Sequence, residues 1–223
     1  MLKNIYIVIP AYNEAEVIKE VIDEIKTAGY QNIVVVDDGS IDNCFYIANK
    51  EKVIALKHLI NRGKGAAVKT GLEAAKILNA TIVVTIDGDG QHNPSDIKIM
   101  LEEIDKGNDV VLGSRLKNPK GMPLLKIVAN YCGNFFTWLL YGLWVTDSQS
   151  GFRAYSEKAM RLIETQTDRY EYDSEVIREI YRNKLKYVEI PIEVRYTNYS
   201  MNKAQKQGFK NGIKTLIKMI ISS

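Results

Sequence analysis

Cysteine is nearly absent from this 223-residue chain: Cys44 and Cys132 are the only two, far apart and without metal-ligand spacing. That argues against a disulfide scaffold or a thiolate zinc site and fits a reducing compartment. Histidine is as scarce, and His58 and His92 have no histidine partner at useful spacing, so both read as loop residues rather than ligands. No run of about 18 or more apolar residues occurs, so nothing clearly spans a bilayer. The nearest stretch, 124–145, is broken by Lys126, Asn130 and Asn134. The net charge of +3 is too small to imply nucleic acid by itself. Repeats, low-complexity tracts and a recognisable signal peptide are missing as well. What is left, with 46% hydrophobic residues and no separating linker, is one substantial domain with a buried core.

The first half alternates strand-like and helical patterns. Short β-branched runs at 5–9, 33–36, 53–56, 81–86 and 110–112 are separated by helical periodicity at 14–28, 42–50, 65–78 and from Pro94 through Ile104. Doubly buried strands joined by helices imply an α/β domain with a mostly parallel twisted sheet flanked by helices. Ligands in such sheets bind beyond the carboxyl ends of the strands. The second half reads as a long apolar-aromatic helix at 124–144, a polar turn at 146–153, a helix at 173–182, two strands at 187–190 and 192–196, and a basic helix at about 203–221.

Chemistry-bearing residues collect at the strand ends. The fourth strand delivers Asp87 and Asp89 within Asp-Gly-Asp-Gly-Gln, and with Gln91 these are hard oxygen donors suited to Mg²⁺ or Mn²⁺ shared with substrate phosphates. Strand one ends in Pro-Ala-Tyr-Asn-Glu (10–14), strand two in Asp-Asp-Gly-Ser (37–40) and strand five in Gly-Ser-Arg (113–115). Acids crowded on one edge repel unless a cation or a hydrogen-bonding ligand joins them. Asp37 or Asp38 suits a base and a ribose. The glycine-flanked Lys64 opens a helix whose backbone N–H groups are expected to approach a phosphate. The spacing is not that of a nucleoside-triphosphatase phosphate loop, and no Gly-x-Gly-x-x-Gly follows strand one.

The ordered set PAYNE, VVVDDGS, NRGKG, DGDGQHNP, GSR and SGFRA resembles the family 2 glycosyltransferases of GT-A fold, and within them the dolichyl- and polyprenyl-phosphate sugar synthases. The resemblance covers roughly residues 4–200 and implies a GT-A catalytic domain over 1–200, with an acceptor-side interface helix region at 120–145 and a basic amphipathic helix at 201–223. It implies inverting transfer of one sugar from a UDP- or GDP-linked donor to a polyprenyl phosphate, with Mg²⁺ or Mn²⁺. Pro10, Ala11, Tyr12, Glu14, Asp37 and Asp38 would hold base and ribose, with Lys64 and Asp87 also at the donor; Asp87, Asp89 and Gln91 would serve metal and diphosphate. Arg115, Lys126 and Arg195 would hold the acceptor phosphate. Such synthases often carry arginine and serine where this chain has Lys126 and Asn130, which keeps the charge but not the bidentate fork.

A phosphate acceptor is already ionised near neutral pH and needs no strong general base. Asp147 and Ser150 are acceptor-side candidates, while Arg153 fits an acceptor role and a structural ion pair equally well. The segment 170–173 suits a sugar cover or a helix cap. Alternatives are a hydroxyl-acceptor transferase, whose frequent Glu-Asp pair and Gln-x-x-Arg-Trp element are not found, and a nucleotide-sugar-binding module without turnover. Lys206, Lys210, Lys214 and Lys218 recur at four-residue steps opposite Phe209, Ile213, Leu216, Ile217 and Ile220. That pattern predicts an interfacial helix and a peripheral location on the cytoplasmic face of the membrane.

Overall fold

The computed structural model describes residues 3–169, 171–195 and 199. Seven strands form one sheet: β1 (Ile5–Ala11), β2 (Ile33–Asp37), β3 (Ile54–Lys57), β4 (Ile82–Thr85), β5 (Val110–Ser114), β6 (Arg153–Ser156) and β7 (Tyr187–Pro191). Their order is β3-β2-β1-β4-β6-β5-β7. β1 pairs in parallel with β2 and β4, β2 with β3, and β5 with β7, whereas β6 runs antiparallel to both β4 and β5. All described strands except β6 therefore aim their carboxyl ends at one edge. The mostly parallel sheet read from the alternation is observed, with one reversed strand that the sequence concealed.

The helices are α1 (Ile18–Thr27), α2 (Cys44–Lys50), α3 (Lys64–Ile77), α4 (Asp96–Asp105), α5 (Leu124–Tyr141), α6 (Glu157–Leu162) and α7 (Glu171–Arg182). Because successive strand residues face opposite sides, the sheet builds two cores. Ile7 and Ile9 of β1 join Ile22 and Ile25 of α1 and Ile97 and Met100 of α4 on one face. Val8, between them in sequence, joins Ala67 and Val68 of α3 and Val176, Ile177 and Ile180 of α7 on the other. This burial on both faces explains the continuous apolar runs of β1, β2 and β4.

The expected strand at 192–196 is reduced to one bridge, Val194 with His92: Ile192 N still donates to Ser114 O at the end of β5, but Glu193 N turns to the side-chain Oδ2 of Asp96. The polar turn at 146–153 ends in β6, whose first residue is a buried arginine, and α6 follows directly, capped by Ser156 Oγ accepting from Ala159 N. No helix among the described residues is long and apolar enough to cross a membrane. The amphipathic helix expected at 201–223 lies outside the described residues.

Candidate active site

The turn after β4 passes close beneath β1: a Cβ on Gly88 would sit 3.1 Å from Pro10 O and 3.3 Å from the Ala11 Cβ. Glycine at this position lets the loop carry Asp87 and Asp89 to the sheet edge beside the Pro-Ala-Tyr motif. Asp87 receives Lys64 Nζ at 2.9 Å and faces His92 Nε2 at 3.4 Å. Burial alone would push its carboxyl up, but the Lys64 and His92 contacts hold it well below the usual carboxylate range. Burial likewise opposes the charge on Lys64, and Asp173 and Asp87 together raise its ammonium pKa above the ordinary value. Asp89 accepts from Gln91 N (3.0 Å) and Gln91 Nε2 (2.9 Å), so Gln91 turns its amide nitrogen to Asp89 and orients it.

Two carboxylates one residue apart in the turn, Asp87 and Asp89, suit a hard divalent cation. No group of three His, Cys, Asp or Glu among the described residues is gathered to hold a metal alone. The donor set therefore fits an ion whose remaining oxygens come from a ligand or water, as for a metal shared with a diphosphate.

At their carboxyl ends, β1 and β2 are in register with Ala11 opposite Asp37, and Asp38 N donates to Ala11 O. Asp37 accepts from Ser40 N at 2.9 Å through Oδ1, while its buried Oδ2 has no hydrogen-bond partner among the described residues. A buried carboxylate oxygen left this way points to a ligand donor. Asp38 differs. It accepts from His58 Nδ1 (2.7 Å), Arg62 N (3.0 Å) and Gly63 N (2.7 Å), and His58 Nε2 reaches Thr70 Oγ at 2.9 Å. Its carboxylate anchors the loop before α3, so His58 is a structural bridge rather than an incidental loop residue. Asn13 takes the left-handed conformation (φ 54°) and binds the second loop through Ser40 Oγ and Ile41 N. Tyr12 stands at the rim, and buried Glu14 accepts from the Tyr199 hydroxyl at 2.7 Å.

The backbone at the start of α3 is partly committed within the protein. Arg62 N and Gly63 N go to Asp38, and Ala66 N donates to Asp168 O at 3.0 Å. The glycines serve packing: a Cβ on Gly63 would lie 2.5 Å from Asp168 O, and one on Gly65 would lie 2.5 Å from Tyr172 Cβ. Those N–H groups are engaged by the protein, and the side chain of Lys64 is what reaches the site.

On the other side of the β4 turn, Arg115 forks onto Asp147, Nε to Oδ2 at 2.7 Å and Nη2 to Oδ1 at 2.8 Å, while its own N–H also reaches Oδ2. Burial would push the Asp147 carboxyl up; the Arg115 charge and hydrogen bonds bring it below the usual range. Lys126, on the first turn of α5, is half-buried. Desolvation first and the Arg115 charge second lower its ammonium pKa, while Asp89 and Asp147 pull the other way. Asp89, Arg115, Lys126 and Asp147 thus share one electrostatic neighbourhood. Asn134 of α5 locks the 146–148 turn by accepting from Ser148 N and Oγ, each at 2.9 Å. Arg195 is not with them: its backbone meets Gln91 O, but its guanidinium pairs with Glu24 on α1 at 2.6 Å. It lines a surface groove of about 570 Å³ between α1 and residues 93–95, away from Asp87 and Asp89.

Arg153 is structural, almost wholly enclosed, with Nε on Ser150 O (2.8 Å) and Nη2 on Ser148 O (2.7 Å) and Asp173 O (3.0 Å). Three further residues reach the site: His92, read from the sequence as a loop residue; Gly151, inside the SGFRA motif; and Asp173, in the segment read as a sugar cover or a helix cap. His92 faces Asp87 and packs on Phe152 at 5.1 Å between ring centroids. Gly151 leaves room for the Lys64–Asp87 pair, since a Cβ there would lie 2.5 Å from Asp87 Oδ1. Asp173 approaches Lys64 at 3.5 Å from α7. Only the Asp-Gly-Asp-Gly-Gln-His continuity signals the first.

One sheet edge thus bears a buried carboxylate oxygen at Asp37, paired acids after the fourth strand and the cations Arg115 and Lys126, an arrangement compatible with a glycosyltransferase. The chain belongs to glycosyl transferase family 2, whose sequence profile matches residues 6–163. It is 45% identical over 222 residues to the UDP-N-acetylglucosamine–dolichyl-phosphate N-acetylglucosaminyltransferase of Methanococcus voltae, covering 89% of this chain and 88% of that protein. It is 27% identical to the polyprenol monophosphomannose synthase of Mycolicibacterium smegmatis, over 83% of this chain and 75% of the other. Among solved structures, glucosyl-3-phosphoglycerate synthase from Mycobacterium tuberculosis, in complex with Mn²⁺, uridine diphosphate and phosphoglyceric acid, superposes with a TM-score of 0.71 at 18% identity. It covers 97% of this chain and 78% of that one. That likeness establishes the fold as GT-A-like.

Proposed function

We propose that this glycosyltransferase moves a single sugar, with inversion, from a nucleotide-sugar donor to a polyprenyl phosphate, using Mg²⁺ or Mn²⁺. The observation that carries the reading is the convergence of Lys126 and Arg115 on the neighbourhood of Asp89, which sets a cationic acceptor side against the turn suited to the leaving diphosphate. The 45% identity to a transferase named for a dolichyl-phosphate acceptor supports it, and its name makes UDP-N-acetylglucosamine the first donor to test.

Asp37, through its unpartnered oxygen, and the backbone around Pro10 and Ala11 orient the base and ribose. Tyr12 and Glu14 close the nucleotide side, while Asp38 holds the Lys64 loop. Asp87 and Asp89, with Gln91 steadying Asp89, would hold the metal, which supplies Lewis-acid neutralisation of the departing diphosphate. Lys126 and Arg115 orient the acceptor phosphate, whose oxygen attacks the anomeric carbon as the bond to the nucleoside diphosphate breaks and that group leaves with the electron pair. Good alignment of this kind contributes up to about 7–11 kcal/mol. The acceptor-side carboxylate, Asp147, is a weak base because Arg115 holds its pKa down. A weak base is adequate for an ionised phosphate and unsuited to a sugar hydroxyl. Arg195 joins the acceptor side only if its side chain leaves Glu24.

The outward face of α5 exposes Leu124, Val128, Tyr131, Phe135, Trp138 and Leu139 next to the Lys126 side. That face and the lysine-rich stretch 203–218 support a peripheral position on the cytoplasmic face of the membrane. With UDP-[¹⁴C]N-acetylglucosamine, Mn²⁺ and dolichyl phosphate, label should pass into an organic-extractable, mild-acid-labile product. Label found only on a glycan or peptide hydroxyl, with every nucleotide sugar tried, would overturn the acceptor assignment.

A further inference from the structure

Resting on that reading, we propose that Asp173 is a positioning residue whose task is to receive Lys64 when Asp87 takes up the metal. Four charges alternate in sign beneath the sheet edge: Asp87 to Lys64 at 2.9 Å, Lys64 to Asp173 at 3.5 Å, and Asp173 Oδ1 to Arg153 Nη2 at 3.5 Å. Lys64, Asp173 and Arg153 are all largely withdrawn from solvent. They come from three distant parts of the chain: the start of α3, the first turn of α7 and the first residue of β6.

In this arrangement the ammonium of Lys64 neutralises the same carboxylate that would bind a divalent ion. A cation arriving at Asp87 is repelled by that ammonium, and an ammonium expelled without a partner would be a buried unpaired charge. Asp173 removes the conflict. It already shares Lys64, so the amine can transfer its main contact from one carboxylate to the other without leaving the pocket. Arg153, fixed by three carbonyl oxygens, keeps Asp173 in place while the exchange occurs. Gly151 keeps the space that the moving amine and Asp87 share. A purely structural Asp173 would give stability but would leave metal affinity indifferent to whether Lys64 is present.

Mn²⁺ binding to the full chain in the presence of UDP, followed by electron paramagnetic resonance, separates these cases. Asp173→Asn should weaken Mn²⁺ binding about fivefold, within the coupling expected of interacting neighbours. In a Lys64→Met background the same change should have no effect, because there is no amine to receive. Asp173→Glu, which restores the charge, should restore affinity to near the wild-type value, with thermal melts confirming that each variant is folded. Equal weakening by Asp173→Asn in both backgrounds would reduce Asp173 to a remote negative charge and overturn the proposal, as would an unaltered affinity. Wild-type protein that takes up no Mn²⁺ with UDP would instead remove the metal reading on which this one stands.

Discussion

Gly151→Ala and Gly65→Ala should fail in different ways, and the difference follows from which atoms the added methyl meets. At Gly151 the new Cβ would fall 2.5 and 2.9 Å from the two Asp87 oxygens and closer still to Lys64 Nζ, where ordinary contact begins near 3.4 Å. These are side-chain ends that can swing, so the fold should lose only about 1 kcal/mol. For a chain of this size that is a Tm drop of about 2–4 °C. With the Lys64–Asp87 pair in its proposed donor-site role, the cost falls on function: kcat/KM should drop at least about tenfold, equivalent to about 1.4 kcal/mol. At Gly65 the methyl would meet Tyr172 Cβ at 2.5 Å and the Asp168 carbonyl carbon at 3.0 Å, which are a side-chain stem and backbone. There α3 and α7 must separate, at about 2–3 kcal/mol and about 4–12 °C of Tm. Differential scanning fluorimetry with sugar transfer to dolichyl phosphate measures both quantities. Wild-type transfer by Gly151→Ala, or a larger Tm loss there than at Gly65, would refute the reasoning.

The two adjacent aspartates after β2 should separate likewise. Asp38→Ala strands the Arg62 and Gly63 amides at about 1–3 kcal/mol each and should lower Tm, whereas Asp37→Asn should weaken UDP binding by calorimetry with little change in Tm. Arg115→Met leaves Asp147 buried without the charge and side-chain hydrogen bonds that lower it most, so its carboxyl should rise. A depressed carboxyl stabilises above its unfolded pKa and loses that contribution only in strong acid; a raised one costs stability as pH climbs through its folded value. The Tm gap between wild type and Arg115→Met should therefore be widest near pH 8 and narrow toward pH 5, and a gap independent of pH would contradict the pairing. Burial pushes the Cys44 thiol up to about 12, so iodoacetamide at pH 8 should label native protein at exposed Cys132 alone, read by peptide mass.

β1, β2, β4 and β5 were legible because burial on both faces writes itself as runs of Val, Ile and Leu. β6 was not, since its first residue is Arg153 and a buried arginine held by carbonyl oxygens looks, in sequence, like a polar turn. Asp87, Asp89, Lys64, Arg115 and Lys126 stood out because each sits in a compact motif or on a marked helix. Asp173 and Gly151 act through neighbours distant in sequence, and no local pattern announces such a contact. For Arg195 the position beside the turn after β4 was legible, but the direction of its side chain here is set by Glu24, 171 residues away.

Because β6 enters the sheet reversed, its leading residue, not its last, arrives at the ligand edge, beside the end of β5. Residues 115–152 therefore depart from the rim and rejoin it at almost the same place, as a detour that β1 to β4 do not need for their own pairing. Such an excursion behaves as a cassette: exchanged between relatives, it should carry the choice of acceptor with it while the nucleotide half stays as it is.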